Sequence, residues 1–118
     1  MTRKQFYLTS FAIWLFAGML LVGLPQASAN SPRPAATSAE VKIDNFSFGP
    51  GEITVPVGST ATWTNRDDIP HTVVSTDGVF KSKVMDTDEK FSFTFTKPGT
   101  FPYFCSIHPK MTGKVVVQ

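Results

Sequence analysis

The chain is poor in cysteine and histidine, with Cys105, His71 and His108 as the only such residues among 118. One cysteine cannot form a disulfide within the chain, so no covalent cross-link supports the fold. In an exported protein, a single unpaired cysteine needs an explanation of its own. Four are open at this point: a buried inert thiol, a bridge to another chain, a nucleophile, or a metal-binding thiolate.

The chain also lacks a hydrophobic run long enough to cross a membrane. Residues 11–24 form a run of 14 apolar or small residues, whereas a spanning helix needs about 20. Arg3 and Lys4 precede this run, and the triplet A-S-A follows it at 27–29. This order predicts a signal peptide over residues 1–29, cleaved after residue 29, and a periplasmic protein without stable membrane insertion. A retained N-terminal anchor is the alternative, and general secretory and twin-arginine export are both open.

A surplus of positive charge is missing once the leader is removed. The 11 Lys and Arg residues fall to nine when Arg3 and Lys4 leave, and the nine Asp and Glu residues remain. The mature chain is therefore close to neutral. A nucleic-acid surface would need clustered Lys and Arg on one face, so we expect no nucleic-acid partner, and we expect a monomer.

No window after residue 40 shows a helical apolar stripe. Short β-rich runs separated by Gly and Pro follow instead, and residues 91–96 alternate strictly between Phe and polar residues. This pattern predicts an all-β, Greek-key β-sandwich of about seven to eight strands over residues 40–118. Residues 30–39, rich in Pro, Ser and Ala, are predicted to be flexible, and residues 80–85 are a candidate for a single turn of helix. The predicted strands are 41–48 (with a break near 44–45), 52–57, 60–65, 71–75, 91–96, 100–104 and 114–117.

Soft or borderline metal ligands recur at intervals of three in one short stretch. Cys105, His108 and Met111 follow a predicted strand directly, and such a seven-residue loop can direct three side chains to one point. His71 begins another strand, and antiparallel neighbours bring such ends to the same pole of a sandwich. Two His, one thiolate and a weak axial Met form the trigonal site of blue copper proteins. The sequence therefore predicts one copper ion held by His71, Cys105, His108 and Met111.

Two rival interpretations of these residues are weaker. Structural zinc sites use Cys and His in sets of four, and Met is not among their usual ligands. A Cys–His nucleophilic pair would need a third group to orient the histidine and donors for an oxyanion. The sequence shows no obvious set of this kind, so copper is the preferred prediction.

The sequence from residue 45 to residue 117 resembles the cupredoxin family, and most closely the amicyanins. The pattern C-x2-H-x2-M at 105–111 is similar to the short amicyanin ligand loop, and plastocyanin and pseudoazurin, with a longer His-to-Met interval, are more distant. W-T-N-R-D-D-I-P-H at 63–71 resembles the segment that ends in the first histidine ligand. The resemblance implies that Asn65 hydrogen bonds near the thiolate and ties the two ligand segments together. Thr72 and Lys110 depart from the pattern, because amicyanins carry Asn and Phe there.

The predicted site has four protein ligands and no open position, so it suits electron transfer rather than catalysis. We therefore expect a soluble periplasmic electron carrier that cycles one type 1 copper between Cu(I) and Cu(II), and not an enzyme. Its partners would be a redox donor and acceptor, such as a c-type cytochrome or a periplasmic dehydrogenase. A periplasmic copper-buffering or copper-delivery module is the main alternative. A secreted interaction domain without metal is the third.

Overall fold

The computed structural model describes residues 18, 22–23 and 32–118 of the chain. The chain divides into one unit of residues 1–30 and another of residues 31–118. Apart from the three isolated positions, the predicted leader lies outside the described residues, as does its cleavage site, so both stay predictions. Across the described positions, no helix is long and apolar enough to cross a bilayer.

Within residues 32–118, eight strands form two four-stranded sheets, which confirms the predicted all-β sandwich. One sheet has the order β2-β1-β4-β6, and the other has the order β3-β8-β7-β5. The chain passes repeatedly from one sheet to the other, and parallel pairs (β1 with β4, β3 with β8) lie beside antiparallel ones. The strands are β1 (Ser38–Asp44), β2 (Ser47–Gly49), β3 (Glu52–Val55), β4 (Thr60–Asn65), β5 (Val74–Ser75), β6 (Lys90–Thr94), β7 (Gly99–Phe104) and β8 (Thr112–Val117).

The core lies between the two sheets and is dominated by aromatic rings. Trp63 of β4 is fully buried and contacts Phe91, Phe80 and Tyr103, with ring centroids 5.7, 5.6 and 5.3 Å away. Large rings bury much apolar area per residue, which a domain of this size needs. Tyr103 is two residues before Cys105, so this packing fixes the end of β7 where the predicted ligand loop begins.

Three segments differ from their predicted structure. Residues 80–85 hold no helical turn; they run extended, with bridges pairing His71 with Met85 and Val74 with Lys81. Only isolated bridges join residues 71–74 to this segment, and the Thr72 amide donates to the Cys105 sulfur, so the predicted strand 71–75 is reduced to Val74–Ser75. The first strand also starts early: β1 begins at Ser38, two residues before residue 40, where the folded domain was predicted to begin.

Gly113 sits against Tyr103, its cross-strand partner between β7 and β8. A Cβ at residue 113 would lie 2.5 Å from the Cζ and Oη atoms of Tyr103, which is only 1% exposed. We expect Gly113→Ala to force the Tyr103 ring from its place and to lower the free energy of unfolding by about 1–3 kcal/mol. Urea denaturation of the metal-free protein measures this change.

Gly51→Ala is the matched control for the Gly113 substitution. A Cβ at residue 51 would make an ordinary contact of 3.7 Å, so its free energy of unfolding should stay close to wild type. Equal stability of the two variants would show that the core beside β7 accepts the extra methyl group without moving Tyr103.

Candidate metal centre

The loop between β7 and β8 is closed by its own backbone. The amide of Cys105 donates to the Met111 carbonyl at 3.1 Å, and the amide of Met111 donates to the His108 carbonyl at 2.9 Å. These bonds fold residues 105–111 into a compact turn. Cys105 and Met111 are buried, and His108 is partly exposed. The loop thus presents three side chains of the predicted set from one turn.

His71 reaches the same place from a distant part of the chain. Its backbone exchanges two hydrogen bonds with Met85, of 3.1 and 2.9 Å, and its side chain is fully buried. The Cys105 Sγ atom lies 3.7 Å from His71 Nδ1 and 3.9 Å from His108 Nδ1. His71, Cys105 and His108 each offer one donor atom, and these three atoms lie within 4.8 Å of one another.

These separations fit a single metal ion. An ion about 2.3 Å from sulfur and about 2.1 Å from each nitrogen, in a trigonal arrangement, would set sulfur and nitrogen roughly 3.8 Å apart. The observed sulfur–nitrogen distances of 3.7 and 3.9 Å bracket that value. Met111 lines a shallow groove together with Phe46 and His108, so a thioether is present at the same end. Thiolate, imidazole and thioether together are the donors that copper prefers.

The Cys105 sulfur is held in a form suited to bind a metal. Burial raises the pKa of the Cys105 thiol, but hydrogen bonds from the Thr72 amide and from His71 outweigh it and lower the pKa to about 6. The Thr72 amide donates to Sγ at 3.4 Å, and the Thr72 hydroxyl lies 3.7 Å from Sγ. The thiolate is the metal-binding form of cysteine. The lowered pKa therefore favours the thiolate at neutral pH.

The second nitrogen of His71 is bound to a carboxylate. His71 Nε2 lies 2.9 Å from Asp67 Oδ2, and both residues are buried. This hydrogen bond to His71 lowers the pKa of the Asp67 carboxyl, helped by the amides of Phe46 and Asp68. Metal binding would replace the contact between Nδ1 and sulfur: the imidazole then keeps its proton on Nε2, facing Asp67, and its Nδ1 lone pair is available to the ion. Carboxylates on the far nitrogen commonly fix the tautomer and the ring plane of a metal-binding histidine.

The side chain of Asn65, which the resemblance implied to hydrogen bond near the thiolate, bonds in this structure to the segment that leads to His71. Its side-chain amide donates to the carbonyls of Ile69 and Met85, each at 2.9 Å, and its oxygen accepts from the Asp67 amide. Asn65 therefore shapes the segment that carries His71 and makes none of these bonds to the Cys105 loop.

Thr72 joins the two ligand segments instead. Its hydroxyl accepts a hydrogen bond from the Ser106 amide at 2.7 Å and lies 2.7 Å from the Ser106 hydroxyl. Sequence reasoning noted Thr72 only as a departure from amicyanins, and it missed Asp67 as a partner of His71. The spacing of four between Asp67 and His71 was the available signal, but such pairs are common on protein surfaces.

Comparison with known proteins places these features in a family context. A family profile described as a cupredoxin-like domain matches residues 11–117. Amicyanin-alpha from Methylorubrum extorquens is 35% identical over 98% of this chain and 99% of its own length. Amicyanin from Paracoccus denitrificans is 39% identical over 76% of each protein. Among solved structures, a reduced amicyanin variant superposes with a TM-score of 0.66 at 40% identity, covering 69% of this chain and 82% of that one.

Proposed function

The chain belongs to the cupredoxin family, and we therefore propose that it is an exported electron carrier with one type 1 copper ion. In this proposal His71, Cys105, His108 and Met111 hold the ion. The observation that carries it is the convergence of the Cys105 sulfur and two histidine nitrogens, 3.7 and 3.9 Å apart, beside a buried Met.

Copper supplies one-electron chemistry when it is bound, through the Cu(I) and Cu(II) states. The protein contributes a fixed set of donors that uses every coordination position, so a substrate has no place to bind. Cys105 is held by Thr72, and His71 is held by Asp67, so neither side chain needs to rearrange when the charge at the site changes. Rigid donors of this kind favour fast electron transfer over catalysis.

The exit for electrons is at His108, the one histidine of the pair that reaches solvent. Ile107, which is 45% exposed, and the exposed Pro109 line a groove with His108, and the partly exposed Ile69 and exposed Pro70 directly precede His71 in the chain. Weak redox encounters use small interfaces, and this apolar collar is of that kind. We propose a redox protein as donor and another as acceptor, such as a c-type cytochrome or a periplasmic dehydrogenase.

The periplasmic location rests on the predicted leader at residues 1–29. The proposal is that this segment directs export and is then removed, which leaves a soluble protein of residues 30–118. The single cysteine is compatible with an oxidising compartment, because a metal bound to Cys105 would keep its sulfur from forming disulfides. N-terminal sequencing of the protein purified from the periplasm tests the cleavage after residue 29.

An optical titration tests the carrier function. Purified protein loaded with one equivalent of Cu(II) should turn blue, bleach on addition of a mild reductant with its copper retained, and regain its colour on oxidation. Loss of copper on reduction would favour a buffering or delivery module with the same ligands. A protein that stays colourless through the titration would favour an interaction domain without metal.

Thr72 offers a way to tune the reduction potential. Its hydroxyl is placed to add a second hydrogen bond to the Cys105 sulfur, and such bonds reduce electron donation to Cu(II). Thr72→Val should therefore lower the reduction potential by roughly 20–60 mV, the equivalent of one ordinary hydrogen bond. Thr72→Ser keeps the hydroxyl and should stay near wild type in cyclic voltammetry. If Thr72→Val left the potential unchanged, the hydroxyl would not act on the sulfur.

A further inference from the structure

The turn between β1 and β2 has a backbone conformation that its residues rarely adopt. Asp44 pairs with Ser47, so the hairpin turn consists of Asn45 and Phe46 alone. Both have positive φ, of 49° and 59°. A two-residue turn of this kind normally has Gly at its second position. A residue with a Cβ is disfavoured in the left-handed region, and a bulky one more so.

The strained residue touches both histidines of the metal centre. The Phe46 ring stands edge-on to the His108 ring at 5.0 Å and 88°, and to the His71 ring at 5.9 Å and 87°. The Phe46 amide donates to Asp67 Oδ2 at 3.3 Å, the same oxygen that His71 Nε2 contacts. Yet Phe46 is 52% exposed, so its packing into the core does not account for its position. Strained residues persist where surrounding contacts hold them, and they gather at functional sites.

The His108 ring also contacts the His71 ring, with centroids 5.0 Å apart, and its Nδ1 lies 3.9 Å from the Cys105 sulfur, but among the described residues it has no carboxylate partner like that of His71. His71 is fully buried and bound to Asp67, whereas His108 is partly exposed and belongs to a loop held mainly by backbone bonds. A histidine ring at a surface can turn about its side-chain bonds. The face-to-edge contact with Phe46 restricts that rotation from the solvent side.

We propose that Phe46 is a positioning residue that holds the His108 ring in the orientation required to bind copper. The proposal rests on the proposed function, since it concerns retention of the same ion. Removing the ring should leave His108 free to rotate away, most of all in the reduced protein, where the copper–nitrogen bonds are weaker. Loss of an aromatic contact of this geometry should speed copper loss about two- to ten-fold.

Phe46→Gly separates a positioning role from a purely structural one. Glycine relieves the left-handed backbone, so the melting temperature of the metal-free protein should not fall. Copper release from the reduced protein to a Cu(I) chelator should nevertheless become about two- to ten-fold faster, and the Cu(II) electron paramagnetic resonance lines should broaden. The melting temperature of the metal-free protein thus does not fall, whereas copper retention does. A purely structural role would move them together.

Two further variants complete the test. Asn45→Gly relieves the neighbouring positive φ and keeps the ring, so its copper release should match wild type. Phe46→Tyr should also retain copper like wild type, and Phe46→Leu, which keeps apolar bulk without a ring, should release it faster. Release from Phe46→Gly and Phe46→Leu at the wild-type rate would overturn the proposal. Wild-type protein that never turns blue would instead overturn the carrier function itself, so the two failures are distinguishable.

Discussion

Cys105→Ser should abolish the blue colour of the copper-loaded protein completely. The colour of a type 1 site comes from charge transfer between a thiolate sulfur and Cu(II), and a serine hydroxyl cannot supply that transition. The Cys105 sulfur lies 3.7 Å from His71 Nδ1 and 3.9 Å from His108 Nδ1, which makes it the shared neighbour of both nitrogens. It is also the sole cysteine of the chain. No other thiolate can replace it.

The measurement is an absorption spectrum after titration with Cu(II), alongside a thermal melt of the metal-free variant. Serine is close in size to cysteine, so the fold should survive, and the melt shows that lost colour is not lost structure. Residual Cu(II) binding by His71 and His108 would give a pale, weakly absorbing protein. If the intense charge-transfer band persisted in the serine variant, the assignment of Cys105 as a ligand would be wrong.

The three ligands of the loop between β7 and β8 could be predicted from the sequence, because their convergence depends on their spacing alone. Cys105, His108 and Met111 fall within one turn, and a loop closed by two backbone hydrogen bonds brings them together. The strands followed from alternation for the same reason: β4 occupies residues 60–65 as predicted, and β6, at residues 90–94, overlaps the predicted run 91–96. Both features are set by neighbours in the sequence.

The remaining features depend on contacts between distant segments, which no local pattern encodes. Residues 80–85 become extended only because His71 and Val74 offer them backbone partners. Thr72 was noted only as a departure from amicyanins, yet its hydroxyl lies against Ser106, 34 residues away. Phe46 falls within the predicted strand 41–48, yet it lies in the turn between β1 and β2, half exposed across two histidines. In each case the partner, and not the residue itself, decides the role.

Asp67 gives the second large expected effect, on copper affinity. Its Oδ2 atom holds His71 Nε2 at 2.9 Å in a buried setting. Asp67→Ala would leave the Nε2 proton without a partner, and the ring would be free to change tautomer or tilt. Losing a carboxylate behind a metal-binding histidine typically lowers metal affinity by about 10–100-fold. We expect a fall of this size in Cu(II) affinity, measured by competition with a chelator.

Two other variants separate the hydrogen bond from the charge. Asp67→Asn keeps an oxygen that can accept from Nε2 but removes the negative charge, so its affinity should lie between wild type and Asp67→Ala. Asp68→Ala removes the same charge from an exposed neighbour whose own amide still donates to Asp67 Oδ1. Affinity in that control should stay near wild type, because an exposed charge is screened by solvent. Should Asp67→Ala bind Cu(II) as tightly as Asp68→Ala does, His71 must be oriented by burial and by its backbone pairing with Met85, without help from the carboxylate.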